Sequence, residues 1–209
     1  MGNRAVIATK KKNLGVYLHW NGGRDSVEAF LKYCELKGYR SPEVDGYGWA
    51  RLSQVIGNFF GGTYSLGLDA YEELDTVNGD NGTYIIEDWK IIDRLYFSGK
   101  EQNEYDLEEM LVEIDKCQPE KEQLGDFLKS KDILVSELKI GDEVYIRTYN
   151  DKYEKHKVVG FGEDRTINGM NVKGVPYVDL YLNFNDATNQ EDYTSNINNY
   201  ITEETIKIV

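Results

Sequence analysis

Two histidines, His19 and His156, limit the nucleophilic and acid–base chemistry open to this chain. A Ser-His-Asp or Cys-His arrangement has to use one of them. His19 ends a predicted strand beside Trp20, a position where catalytic groups often lie, and Cys34 falls within folding reach of it. His19 and Cys34 are therefore the catalytic candidates, with a packed structural histidine as the alternative. His156 stands between two lysines on an alternating segment, and we expect it to be exposed.

Cys34 and Cys117 both fall on the apolar stripes of predicted helices, far apart in the sequence. This placement is typical of two buried, reduced thiols in a cytosolic protein. A disulfide or a reactive thiol is the alternative.

No metal and no cofactor are predicted, since the scattered cysteines and histidines give no zinc spacing. Asp75, Asn78 and Asp80 resemble a calcium loop, but the glycine placement and the terminal bidentate glutamate of an EF-hand are missing. A turn rich in Asn, Asp and Gly needs no ion to explain it.

The run Asn21-Gly22-Gly23-Arg24 precedes a predicted helix, whose first N–H groups can bind an anion. It lacks the complete Gly-x-x-x-x-Gly-Lys pattern of a phosphate loop. A plain strand-to-helix turn is the alternative, so the pattern leaves open whether the turn from His19 to Gly22 binds a ligand.

The chain is acidic, with a formal net charge of −13, and its charge is unevenly distributed. Residues 1–40 carry a net charge of +5, whereas residues 101–126 carry −8. Because a strongly acidic chain repels phosphates, direct binding of DNA or RNA is not expected, although the basic N-terminal stretch leaves that option open. The composition favours a protein partner with a basic surface.

The acidic segment contains a predicted helix that begins at Tyr105. Its apolar stripe consists of Leu107, Met110, Leu111 and Ile114. The candidate binding residues around that stripe are Asp106, Glu108, Glu109, Glu113 and Asp115. A solvated helix face is the alternative. A second helix is predicted over 120–128.

The first hundred residues predict a mixed α/β unit with an antiparallel sheet and two helices. Strands are predicted over 4–9, 14–19, 63–66, 83–86 and 90–97. One helix follows Asp25, which forms a capping box with Glu28. The other spans 49–60 and ends at Gly61-Gly62.

Residues 132–209 predict a small closed β-barrel. Short strands fit 154–161, 165–173, 175–182 and 205–208, after an alternating strand that ends at Ile146. The entry from Leu138 to Val144 and the closing strand resemble those of SH3-like barrels. The loop 184–199 is long enough to be mobile or a contact site.

The predicted class is therefore α+β, with an N-terminal α+β domain (1–100), an acidic helical connector (101–131) and a barrel domain (132–209). No apolar run approaches the length of a membrane span, and the N-terminus does not resemble a secretory signal. We expect no membrane association and a cytoplasmic location.

A two-part motif consists of Met1-Gly2-Asn3-Arg4-Ala5-Val6-Ile7 followed by Val16-Tyr17-Leu18-His19-Trp20-Asn21-Gly22-Gly23. It resembles a family of small proteins carried by bacteriophages and mobile elements. Those proteins begin with an Asn/Thr-Arg-x-x-Ile strand and continue into a Tyr-x-His-Trp-(Asp/Asn)-Gly strand end. The resemblance covers residues 1–97 and implies a setting among the accessory genes of mobile DNA, in a bacterial host cell. It implies no catalytic residue.

Three functions follow from these observations. The first is an anti-defence inhibitor, such as an anti-CRISPR protein, whose acidic helix occupies the basic nucleic-acid channel of a host nuclease. The second is an enzyme acting on a nucleotide or nucleic acid with a site around His19. The third is a regulatory module whose barrel binds another protein. The clustering of acids favours the first.

Overall fold

A computed structural model describes residues 2–62, 65–147, 153–162, 165–167, 170–172, 177–182 and 205–208. The chain divides into two compact units, Met1–Leu124 and Gly125–Val209. Both units contain sheets, and the first also contains helices, which confirms the α+β class. None of the helices in these ranges is long and apolar enough to cross a membrane.

The first unit is built on a five-stranded sheet. Its strands are β1 (Ala5–Thr9), β2 (Leu14–Leu18), β3 (Leu66–Ala70), β4 (Thr83–Glu87) and β5 (Lys90–Leu95), in the order β3-β2-β1-β4-β5. The β1–β4 pair is parallel and the other pairs are antiparallel. The prediction of an antiparallel sheet is therefore wrong for this pair. A tight hairpin forces antiparallel pairing, but the long connection between β1 and β4 does not.

The core of the first unit lies around β1 and β4. All five residues of β1 are buried, and Ile7 pairs in register with the fully buried Tyr84. Strands buried on both faces read as continuous apolar runs, which explains the Ala-Val-Ile-Ala sequence of β1. Gly15 leaves room for a loop side chain, because a Cβ there would lie 2.8 Å from Leu74 Cδ1.

Two helices, α1 (Arg24–Leu36) and α2 (Gly46–Phe60), follow β2. Helix α2 begins after Asp45, whose side chain accepts a hydrogen bond from the Tyr47 N–H. It ends at Gly61, which has a φ of 63°, so the predicted glycine stop is confirmed.

The predicted capping box of α1 is wrong. The helix starts one residue before Asp25, and Gly23 takes the N-cap position without a side-chain cap. Asp25 instead accepts a hydrogen bond from the adjacent Ser26 N–H. The Glu28 carboxylate accepts hydrogen bonds from the side chains of Arg24 and Tyr105, and in the described residues it accepts none from the Gly23 N–H, as a capping box would require.

The acidic segment forms one helix, α3 (Leu107–Lys116), which packs beside α1. The second predicted helix is wrong, because residues 120–122 and 125–129 form only short 3-10 turns. Gly125, the first residue of the second turn, has a φ of 56°, a left-handed conformation that interrupts an α-helix.

The second unit contains strands β6 (Lys131–Leu134), β7 (Glu143–Arg147), β8 (Tyr153–Gly162), β9 (Arg165–Ile167), β10 (Met170–Val172), β11 (Tyr177–Leu182) and β12 (Thr205–Ile208). Five of them form an antiparallel sheet in the order β11-β8-β7-β12-β6, and β9 pairs with β10. The closed barrel is not confirmed, since no pairing joins β11 to β6 among the described strands. The loop 184–199 lies outside the described residues.

The sequence predicted an exposed His156, and this prediction is wrong: the residue is only 1% exposed. It lies opposite Val144 in β7, two residues before the buried Val158. Alternation along β8 therefore places His156 on the apolar face and its neighbours Lys155 and Lys157 on the other. Neither ring nitrogen has a hydrogen-bond partner in the part of the chain that the structure describes.

This burial predicts that the second unit loses stability in mild acid. Burial lowers the pKa of His156 below its ordinary value of 6.5, while Glu154, with Oε2 at 4.0 Å from Nε2, opposes the shift. Below about pH 6.5 the imidazole of His156 is protonated in the unfolded chain but stays neutral in the folded chain. The free energy of unfolding therefore falls by up to about 1.4 kcal/mol for each pH unit below this value. Urea titrations at about pH 7.5 and pH 5.5, followed by NMR signals from β7 and β8, measure this loss.

His156→Leu should reduce the difference between the two pH values, because its side chain does not titrate. His19→Gln is the matched control, since it removes the other histidine, which is exposed. If His156→Leu shows the same pH dependence as the parent protein, His156 does not control acid stability.

Candidate functional site

Helix α3 presents three exposed glutamates, Glu108, Glu109 and Glu113. In the described residues none of the three forms an ion pair; Glu101 and Glu122 are the glutamates of this segment that do. Glu109 and Glu113 are four residues apart, or about 6 Å along the helix axis. Because no cation of the described residues pairs with these carboxylates, they create a local negative field that is open to solvent.

Asp106 belongs to the helix start rather than to this exposed row. Its carboxylate accepts a hydrogen bond of 2.9 Å from the Glu109 N–H, which makes it the N-cap of α3. Loss of such a cap costs about 1 kcal/mol. A substitution at Asp106 would therefore alter both surface charge and helix stability.

Asp115 lies inside the first unit, unlike the other candidate binding residues. It is 6% exposed, and its Oδ1 accepts hydrogen bonds from the Tyr33 hydroxyl at 2.6 Å and the Leu124 N–H at 2.7 Å. Burial, together with the hydrogen bond to Asp115, raises the pKa of Tyr33. Asp115 thus holds α3 to α1 and is not available on the surface.

Further side-chain contacts join the acidic segment to α1. The contacts follow the same order along the acidic segment as along α1. Glu101 pairs with Arg24, and the Tyr105 hydroxyl donates a hydrogen bond to Glu28. Lys37 pairs with Glu122 at 3.4 Å just after α1 ends. Leu111 and Ile114, which belong to the predicted apolar stripe of α3, are buried. The result is a helix whose exposed face is held in a defined position.

These ties were missed from the sequence for a physical reason. Tyr33 falls on the buried side of α1 with Phe30 and Cys34, where a tyrosine is expected to be a core residue. A buried tyrosine hydroxyl needs a hydrogen-bond partner, and this requirement alone indicated that a polar group must contact Tyr33. Nothing in the local pattern identifies Asp115, which is 82 residues away, as that partner.

The catalytic candidates lie in different environments. His19 is exposed at the end of β2, where its Nδ1 lies 3.3 Å from the Tyr17 hydroxyl and its ring meets Trp20 edge-on at 5.1 Å. Cys34 is fully buried in α1, and burial raises the pKa of its thiol. Because the thiolate is the nucleophile, this environment disfavours reaction at Cys34.

Cys117 is exposed, so the expectation of two buried thiols is wrong for this residue. It is the C-cap of α3, where the helix ends and its buried stripe does not continue.

The loop that resembles a calcium site is organised by an arginine and an amide. Arg4 Nε donates to Asp80 Oδ2 at 2.7 Å, and this contact holds the pKa of Asp80 below its usual range. Asn78 is buried and bonds to backbone groups of Asp75 and Gly82. No group of three or more metal-ligating side chains occurs in the described residues.

Comparisons with known proteins found no match in protein-family models, among curated proteins or among solved structures.

Proposed function

We propose that this protein inhibits a nuclease by placing the exposed carboxylates of α3 in a basic nucleic-acid channel. The observation that carries the proposal is the row Glu108, Glu109 and Glu113, exposed and without an ion pair in the described chain, on an anchored helix. A channel lined with Lys and Arg binds the phosphates of a nucleic acid, and a fixed array of carboxylates competes for the same cations.

Anchoring strengthens this competition. A flexible acidic segment would lose conformational freedom on binding, at about 0.5–1.5 kcal/mol for each immobilised side chain, besides the cost of ordering its backbone. The contacts of Asp115 and Tyr33 order the backbone of α3 before a partner arrives. Binding should also weaken as salt rises, since exposed charges are screened.

The biological setting that we propose is anti-defence activity, of the anti-CRISPR kind, in a mobile genetic element within the bacterial cytoplasm. It is supported by the resemblance of the N-terminal motif to phage and mobile-element proteins and by the net charge of −13. The partner would be a host defence nuclease of the CRISPR or restriction class.

Reversing three charges tests the proposal. The triple variant Glu108→Lys, Glu109→Lys and Glu113→Lys should weaken inhibition on the order of 100-fold, because it turns attraction for a basic channel into repulsion. Asp106 and Asp115 are left intact, so the helix cap and the buried anchor remain. The measurement is DNA cleavage by a panel of purified CRISPR and restriction nucleases, titrated with the protein.

The matched control carries Glu72→Lys, Glu73→Lys and Glu137→Lys, three exposed positions outside α3 with the same change in net charge. It should retain inhibition. Equal inhibition by the α3 variant and the parent would refute this binding surface, provided that circular dichroism shows both to be folded.

For the second unit we propose an SH3-like module that supports protein binding. The proposal is supported by the pairing of the closing strand β12 with β7, near the Lys139-Ile140-Gly141-Asp142 turn. In that turn Gly141 has a φ of 101° and the Lys139 N–H donates to Asp142 Oδ2 at 2.8 Å.

A further inference from the structure

Two arginines of the first unit meet at a single carboxylate oxygen beside the start of α1. Arg94 Nη1 lies 2.8 Å from Glu101 Oε2, and Arg24 Nη1 lies 3.4 Å from the same atom. Two guanidinium groups brought this close repel each other unless an anion lies between them. The arrangement is therefore an oxyanion site, at present filled by the chain's own glutamate.

Arg94 is held rigidly in this site. Its guanidinium lies 3.4 Å from the centre of the Phe97 ring and 4.4 Å from that of Tyr84. Nε and Nη2 donate to the carbonyl and side-chain oxygens of Asn81, both at 2.9 Å. Its side chain is only 7% exposed, so Nη1 is the group left to meet an anion, and its position is fixed in advance.

Arg24, the second arginine of the site, stands where a cation is disfavoured. It is the first residue of α1, where the partial positive charge of the helix start disfavours a cation. Glu28 holds its Nε at 3.3 Å. Side chains that contradict local preference often mark functional sites. Here the helix start and both arginines meet, and Glu28 and Glu101 are the carboxylates that pair with them.

The present occupant is suited to exchange. Glu101 lies in the segment 96–106, which has no helix or strand, and its side chain is 36% exposed. Because Arg94 is only 7% exposed, this carboxylate can leave only when another anion takes its place. A phosphate group offers more charge and more acceptor oxygens to two guanidinium groups than one carboxylate does.

We propose that Arg24 and Arg94 form a binding site for a phosphate group, and that Glu101 is an internal occupant which phosphate displaces. The site is separate from the exposed glutamates of α3 and does not depend on nuclease inhibition. Its ligand is a free phosphate ion or the phosphate of a small ester.

The test compares Glu101→Gln with the parent protein, using inorganic phosphate and adenosine monophosphate as probes against chloride of equal ionic strength. Phosphate at about ten times its Kd should raise the Tm of Glu101→Gln by about 3 °C. The parent should respond less, because Glu101 competes. A response to both probes indicates an ester site, and a response to inorganic phosphate alone indicates a site for the free ion.

Arg24→Gln combined with Glu101→Gln is the loss-of-site variant, chosen because Arg24 is less buried than Arg94. It should lose the phosphate response. In NMR spectra of Glu101→Gln, the Arg94 Nε–H signal should shift with phosphate and not with chloride. The absence of a phosphate-specific shift in both Tm and the Arg94 signal would overturn the proposal.

Discussion

Gly82→Ala is expected to lower the free energy of unfolding by about 3 kcal/mol or more. Gly82 has a φ of 65°, a conformation that strains any residue with a Cβ. A Cβ at this position would also overlap the Leu95 carbonyl oxygen and lie 2.8 Å from the Tyr96 carbonyl carbon. Its own carbonyl accepts the Val6 N–H, so the backbone at the start of β4 cannot shift without disturbing β1. Urea unfolding followed by tryptophan fluorescence measures the loss.

Gly79→Ala is the matched control. Gly79 lies in the same loop with a φ of 75°, but no atom lies within 4 Å of a Cβ built there. Only the conformational strain remains, about 1–2 kcal/mol. Similar losses in the two variants would show that the overlap with Leu95 and Tyr96 is relieved at little cost.

Asp115→Ala is expected to lower the free energy of unfolding of the first unit by about 3 kcal/mol. Hydrogen bonds to a charged group contribute about 1.5–3 kcal/mol, and this change leaves the buried Tyr33 hydroxyl and the Leu124 N–H without the acceptor that they share. Urea unfolding by tryptophan fluorescence reports on this unit, because all three tryptophans lie in it.

Glu113→Ala, two residues earlier on the exposed face of the same helix, should change stability by no more than about 0.5 kcal/mol. The two variants separate anchoring from recognition: Asp115→Ala should loosen α3, whereas Glu113→Ala should weaken nuclease inhibition in a folded protein. Equal stability of the two variants would contradict the anchoring role of Asp115.

Local patterns predicted many elements of the first unit. The apolar run of β1, the periodic stripes of α1, α2 and α3, and the glycine stop at Gly61 all depend on short-range preferences that neighbouring residues decide. Predictions that depended on one boundary residue were less successful. The capping box at Asp25 failed because α1 begins one residue earlier.

His156 shows a different kind of error. Its lysine neighbours indicated exposure, but side chains in a strand alternate, and the residue two positions on, Val158, was the better guide. A similar reason separates Asp115, which is buried, from the exposed candidate binding residues of α3. Helical spacing placed Asp115 next to the acidic row, yet it lies one residue after the buried Ile114, on the side of α3 that meets α1.

By itself, the sequence determined the charge distribution, the periodicity of the helices and most strand positions, because these depend on residue type and on neighbours a few positions away. Tertiary structure decided the parallel β1–β4 pair, the burial of Asp115 and the meeting of Arg24 with Arg94 at Glu101. Each of these joins residues about 70 or more positions apart. Such contacts form only when burial of the common core brings distant segments together, and no local pattern encodes them.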